Sequence, residues 1–441
     1  MRYKPINAQL FVDNRRRLAA MLKPSSVAVV VANDEMPRNG DQFFPYRQNS
    51  DLFYLTGIEQ EKTLLLLCPT HPQESYREVL FIVKADPLEE QWNGHKLTLE
   101  EARAISGVKS VKYLDALDVV LRELFFWAKR AYLAINEYPK FFPEVPNRDV
   151  RFAKQIKEQY PLLKIKRLFP LIAALRQVKQ PEEVGLIKRA CEITGVAFDR
   201  ILKSLAPGMK EYEVEAMMTY DFLRLGANGH AYQPIVASGK NACVLHYVTN
   251  DGALADGDLL LMDFGAEYAN YAADCSRTIP VNGKFTPRQK ACYNAVLRTF
   301  RKAQSLYVPG NTIQKINQAV FKMMEEEMIG LGLFTREEVE RQDPQNPCYA
   351  KYLMHGVCHP VGLDVHDVGG KEEPLPEGQV LTLEPGIYLE EEGFGIRLEN
   401  DIMVADVPVD LMAHIPIEVD EIEALMASAD EGGALIEVPV K

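Results

Sequence analysis

The run Leu259-Leu260-Leu261-Met262-Asp263-Phe264-Gly265 sets one carboxylate inside an apolar stretch, and the continuation AEYANYAADCSRTIP, residues 266–280, sets a second, Asp274, in a similar frame. Opened by the turn pair Asp256-Gly257, Leu259–Phe264 reads as a buried strand, and Ser276–Val281 reads as another. A buried carboxylate without a partner costs several kcal/mol, so something must neutralise it. The pattern recurs downstream. Glu384 interrupts VLTLEPG at the end of a strand-like Gln379–Leu383, Glu399 falls in a strand-like Ile396–Val404, and His359 lies in HGVCHPVGLDVHDVGG, residues 355–370. A structural salt bridge explains one such acid as well as a metal does; four acids with one histidine favour metal.

Oxygen-rich ligation with a single nitrogen suits Mn²⁺, and also Co²⁺ or Zn²⁺, rather than a thiolate-based structural zinc. Four carboxylates call for two ions, and paired metals about 3.5–4 Å apart can activate a water between them against a carbonyl, which is a hydrolase's apparatus. His355 and His359 also stand four apart, as in helical zinc proteases. The general-base glutamate of that motif is missing, however, and Pro360 with Gly356 and Gly362 disfavours a helix. An extended or looped segment would instead bring His355, His359 and His366 to one cavity.

Around this block the text alternates helices and antiparallel-looking strands. A helix opened by Pro181-Glu182-Glu183 runs to about Leu205, and a second follows from Tyr212 to Leu225. The capping box Thr286-Pro287-Arg288-Gln289 opens another, running to Tyr307 before a further helix. SLAPGMKEYEV from Ser204 and SLYVPGNTIQKI from Ser305 repeat the sequence helix, Pro-Gly, helix, so an internally duplicated domain and a chance match are both open. The first half instead alternates strand-like Ser26–Ala32, Thr63–Cys68 and Val79–Val83 with helical Thr98–Ile105 and Leu114–Trp127, an α/β pattern. The division is expected near residue 176, giving domains 1–176 and 177–441. The tail from Ser428 to Lys441 is expected to be loosely held.

A chain of 441 residues exceeds one ordinary core, and its 47% hydrophobic and 25% charged residues are globular averages. The net charge of −12 argues against a nucleic-acid partner. Arg15, Arg16 and Arg17 form the one basic cluster, and a solvated helix face is the expected reading. No run of about 18 apolar residues calls for a membrane span, and the start lacks a secretory apolar region. Seven cysteines without CxxC spacing suggest unpaired thiols in a reducing compartment, hence a cytoplasmic expectation.

The blocks LLLMDFGAEYANYAADCSRTIPVNGKFT, HGVCHPVGLDVHDVGG, LTLEPGIYL and GIRLENDI, with PYRQNSDLFYLTGI at Pro45–Ile58, resemble aminopeptidase P and prolidase. These belong to the creatinase and methionine aminopeptidase superfamily, metallopeptidase family M24. The resemblance covers nearly the whole chain. It implies an α+β protein: a C-terminal pita-bread domain preceded by an α/β creatinase-like domain. It further implies Asp263 on one metal, Asp274 and Glu399 bridging, and His359 with Glu384 on the other, with Mn²⁺ the expected ion. A bridging hydroxide would then attack the scissile carbonyl of an Xaa-Pro bond at a peptide N-terminus. Glu384 would handle the proton and His366 the oxyanion.

His246 would line the proline side and His355 the pocket. Arg397, Tyr388 and Asp51 would meet at its rim, and Trp92 resembles an aromatic lent to a neighbouring subunit, since the family forms dimers or tetramers. Blander readings stand beside these: His246 as a packed core histidine, Arg397 as a structural ion pair, Asp51 as a surface cap, and Trp92 as an exposed or packing aromatic. Cys358, Pro360 and Ser276 depart from the family's usual residues, while the ligand positions do not. Fourteen residues separate Glu384 from Glu399, a shorter loop than prolidase has, which tilts the reading towards an Xaa-Pro aminopeptidase over an Xaa-Pro dipeptidase. A non-catalytic binding homologue is the alternative of another class.

Overall fold

The computed structural model describes residues 2–138, 141 and 144–428, so the expectation for the tail falls on 429–441, outside the described residues. The chain divides into one unit spanning Tyr3–Arg176 and a second from Gln177 onward. In the first, continuous apolar runs become the middle of a six-stranded sheet. Its order is Ser110–Tyr113, Glu78–Ile82, Leu64–Leu67, Ser26–Val31, Arg130–Leu133, Lys164–Arg167. Ser26–Val31 is buried throughout, antiparallel to Leu64–Leu67 and parallel to Arg130–Leu133. Val27, Val29, Leu66, Phe81 and Leu124 meet in its core. The last strand, Lys-Ile-Lys-Arg, is exposed at all four residues, and its cations guard the sheet edge against further pairing.

The basic triplet lies on the helix Ala8–Met21, but Arg15 corrects the expectation of a solvated face. Its side chain is only 1% exposed and donates to Glu78 Oε2 at 3.1 Å and to the carbonyls of Leu55 and Ser106 at 2.8 Å each. Arg17 bonds Asn14 and Tyr54, leaving Arg16 exposed. The physical reason is that carbonyls ending Ser50–Thr56 and Leu99–Ser106 need donors, and a guanidinium supplies several in a fixed fork. Asp51 is likewise buried, 2.7 Å from Arg176 Nη1 in the same unit, while Asn49 supplies the helix cap. Trp92, on Pro87–Asn93, is 82% exposed.

In the second unit Pro181–Ser204 packs on Glu211–Arg224, and Pro287–Ala303 packs on Ile313–Gly330. These helix pairs contain the two Pro-Gly repeats, as an internal duplication would. Between them run the strands Ile235–Ser238, Leu259–Phe264 and Cys275–Pro280, antiparallel in that order. Val380–Leu383 pairs with Asn400–Met403, and Gly386–Leu389 with Phe394–Arg397. The single strand expected over Ile396–Val404 is thus two, because the chain changes partner at Leu398-Glu399, where Glu399 bridges to Ser276. All seven cysteines are free. No helix of the described residues is long and apolar enough to cross a membrane.

One buried acid of the first unit sets a pH dependence. Burial pushes the Asp149 carboxyl up to about 7, with Asp51 adding and Arg148 opposing. An unfolded chain releases this proton near pH ~3.9, so between about pH 4 and 7 ionisation favours unfolding; stability falls across that window and levels off above it. Asp149→Asn should remove the slope, gaining about 2.5 kcal/mol relative to the parent between pH 5 and 8. Calorimetric melts at both pH values check this, and parallel shifts of parent and variant would contradict it.

Candidate metal centre

The site rests on strand register. Asp263 opposes Ser276 and Phe264 opposes Cys275, so Asp274, two residues before Ser276, shares the face of Asp263. The connection between them is tight. At Gly265 a Cβ would lie 1.7 Å from the Ala273 carbonyl oxygen, and the turn beyond it is closed by Ala269 and Asn270 at positive φ. The second acidic pair forms the same way: Leu383 opposes Asn400, which sets Glu384 against Glu399. The Glu399 amide donates to the Ser276 carbonyl at 3.1 Å and joins the two sheets.

His359 comes from the segment between Tyr352 and Gln379, which holds no helix. It is tied to the strand beside it: the Thr382 amide donates to the His359 carbonyl at 2.8 Å, the Glu384 amide to the Val357 carbonyl at 3.0 Å. Asp274, His359 and Glu399 each present a ligand atom within 4.8 Å of the others. His359 Nε2 lies 3.4 Å from Asp274 Oδ2 and 3.6 Å from Glu384 Oε1. Asp263 joins through Tyr232, whose hydroxyl stands 2.5 Å from Asp263 Oδ1 and 2.6 Å from Asp274 Oδ1.

Arg397 is the cation bonded to this cluster. It donates to Asp263 Oδ2 at 2.7 Å, to Ser276 Oγ at 2.9 Å and to the Tyr388 hydroxyl at 2.8 Å. The Ser276 hydroxyl in turn donates to Glu399 Oε2 at 2.6 Å. Against four carboxylates, one guanidinium leaves an excess of three negative charges if all are ionised. Burial first, then mutual repulsion, pushes Asp274, Glu384 and Glu399 well above the usual carboxylate range. Four acids, one imidazole and a strained charge balance form a donor set that fits divalent cations, whose charge would return those acids to their ionised form.

The other site residues form a rim. His355 Nε2 is 2.8 Å from the Tyr388 hydroxyl and its Nδ1 is 2.8 Å from the Gly356 carbonyl. The carbonyl fixes Nδ1 as the donor, so protons are ordered from Arg397 to Tyr388 to His355. Burial, reinforced by Arg397, lowers His355 to about 4 and keeps it neutral. His366 is exposed, its ring 4.3 Å from that of His359 and nearly perpendicular to it. His246 is exposed in the loop after Gly239–Cys243 and contributes to the electrostatics of His355, so it is not a packed core histidine. Asp51 and Trp92 lie in the first unit.

The profile of metallopeptidase family M24 matches residues 185–406, and that of the aminopeptidase P N-terminal domain matches residues 11–132. The chain belongs to metallopeptidase family M24. Within the family it is 35% identical to Xaa-Pro aminopeptidase of Escherichia coli (strain K12) over 96% of this chain and 99% of that one. It is 34% identical to Xaa-Pro aminopeptidase of Haemophilus influenzae over 94% and 96%. Zinc-substituted E. coli aminopeptidase P in complex with product matches with a TM-score of 0.86 at 34% identity, covering 97% of this chain and 99% of that chain. These relatives share the M24 fold described above, an N-terminal domain followed by a pita-bread domain.

For an M24 chain, two site features escape sequence reasoning. Tyr232, in GHAYQPIV, carries no motif, and its role follows only from Ile235–Ser238 pairing with Leu259–Phe264. Lys179 lies 3.0 Å from Asp367, both side chains 1% exposed, an ion pair buried beside His366 that sequence distance conceals. Tyr232→Phe should leave the fold intact and weaken metal retention about tenfold to a hundredfold, as loss of a ligand-orienting partner does. Competition with a chelator measures this; unchanged retention would reduce the hydroxyl to a space-filling role.

Proposed function

We propose that this chain hydrolyses the N-terminal Xaa-Pro bond of peptides with proline in the second position, using two divalent ions held in the second unit. Asp263, Asp274, His359, Glu384 and Glu399 would hold them, with Mn²⁺ the favoured ion. The single observation carrying the reading is the convergence of four carboxylates and one imidazole around a single bonded guanidinium, that of Arg397, among the described residues. Chains that are 34–35% identical over nearly their full length are named Xaa-Pro aminopeptidase. When bound, such ions supply Lewis acidity and lower the pKa of water, making a nucleophile available near neutral pH.

The chain's own residues supply the remaining needs. Glu384, at the end of the strand Val380–Leu383, would carry a proton to the departing proline nitrogen. His366, exposed beside His359, would donate to the oxygen of the scissile carbonyl. Arg397 and Tyr388 would hold Asp263 and His355 in one orientation, and neutral His355 with His246 would border the imino ring. Trp92, exposed on the first unit, would be lent to a neighbouring copy in a homo-oligomer.

The test is hydrolysis of Xaa-Pro dipeptides, Xaa-Pro-Yaa tripeptides and longer peptides after chelation and restoration of Mn²⁺, Co²⁺ or Zn²⁺. Release of the first residue from the longer peptides is the expected result, and cleavage confined to dipeptides would make the enzyme an Xaa-Pro dipeptidase. Asp274→Ala should abolish turnover. Turnover retained after metal removal would overturn the metal-dependent reading.

A further inference from the structure

Glu211 is the first residue of the helix Glu211–Arg224, and it is fully buried, although the mechanism above gives it no part. Its carboxylate gathers donors from both ends of one loop. Oε1 accepts from the Ser238 amide at 2.8 Å, the Ser238 hydroxyl at 2.7 Å and Asn241 Nδ2 at 3.1 Å. Oε2 accepts from the Tyr247 hydroxyl and the Gly252 amide, each at 2.8 Å. Five donors to one carboxylate outweigh its burial and hold its pKa below the ordinary value. The helix N-terminus adds a favourable field.

These five donors come from residues 238–252, and His246 stands inside that span beside Tyr247. The packing leaves no slack: a Cβ on Gly252 would lie 2.8 Å from the Glu211 carboxylate. Asn250 makes a second clamp, its side chain 2.8 Å from Glu215 Oε2 and 3.0 Å from the Pro234 and Val236 backbones. Between the clamps Val244, His246 and Val248 face solvent, and no hydrogen bond from the described residues holds the His246 ring. The position of His246 is therefore set by its neighbours' attachments.

We propose that Glu211 is a positioning residue for catalysis, fixing through Tyr247 and Gly252 the loop that presents His246 to substrate. This rests on the Xaa-Pro peptidase reading. Glu211→Gln keeps the shape but replaces one carboxylate oxygen with an NH₂ group, so one side of the hub meets donors with a donor. The loop is released there, while the metal ligands, on other elements, keep their places.

The decisive experiment pairs a double-mutant cycle with hydrogen exchange on the full chain loaded with Mn²⁺. Glu211→Gln should lower kcat/KM for an Xaa-Pro-Yaa tripeptide by about tenfold with metal content unchanged, and Tyr247→Phe should give a smaller loss. Combined with His246→Ala, the Glu211→Gln loss should nearly vanish, because one residue acts through the other. In exchange, amides of 239–252 should open faster in Glu211→Gln while those of Leu259–Phe264 keep their protection. Losses that multiply with His246→Ala, or a loop that exchanges as in the parent, would overturn the proposal. If the parent cleaves no Xaa-Pro peptide with any metal, the peptidase reading fails, and the exchange result alone decides whether Glu211 holds the loop.

Discussion

Mutual repulsion among buried carboxylates is the constraint on which the second unit depends. Asp263, Asp274, Glu384 and Glu399 are brought together at the edges of paired strands, where each would be better solvated apart. The surrounding polypeptide resists that repulsion with fixed donors rather than loose ones: the Tyr232 hydroxyl, the Ser276 hydroxyl and the Arg397 guanidinium all bridge two or more groups. Such sharing keeps the acids close enough to act on one ion or pair of ions. At Leu398-Glu399, where the chain changes partner, the bridge to Ser276 holds Glu399 beside the first acidic pair.

Much of this was legible because burial and charge conflict visibly in the sequence. Acids set in LLLMDFG and VLTLEPG declare themselves, as do the looped histidines beside Pro360 and Gly362. Strands around Asp263 and Glu384 lie where their apolar runs end. What was hidden depends on distant pairing. Tyr232 looks like any aromatic before a strand, Lys179 and Asp367 are far apart in the chain, and Glu211 resembles a helix-opening acid of the usual exposed kind. Arg15 misled for the complementary reason: a cation in a basic triplet reads as solvated unless the carbonyls it will cap are known.

The two helix pairs with their Pro-Gly turns give the second unit a repeated frame, yet the chemistry is divided unequally over it. The acids near one repeat arrive on a single hairpin, Asp263 and Asp274 together. Glu384 and Glu399 arrive on strands separated by the hairpin Gly386–Leu389 and Phe394–Arg397, which itself delivers Tyr388 and Arg397. A shared scaffold thus carries a ligand pair on one side and a ligand pair with its orienting groups on the other.

The closed turn between Asp263 and Asp274 has a consequence for how this chain can vary. Side chains alternate between the faces of a strand, so gaining or losing one residue between 265 and 273 would slip the pairing by one step and swing Asp274 to the opposite side. Gly265 leaves no room to absorb such a change. A frame-preserving indel of one codon here would erase the site while leaving every ligand in the sequence. Spacing, more than identity, is what this stretch of gene has to transmit.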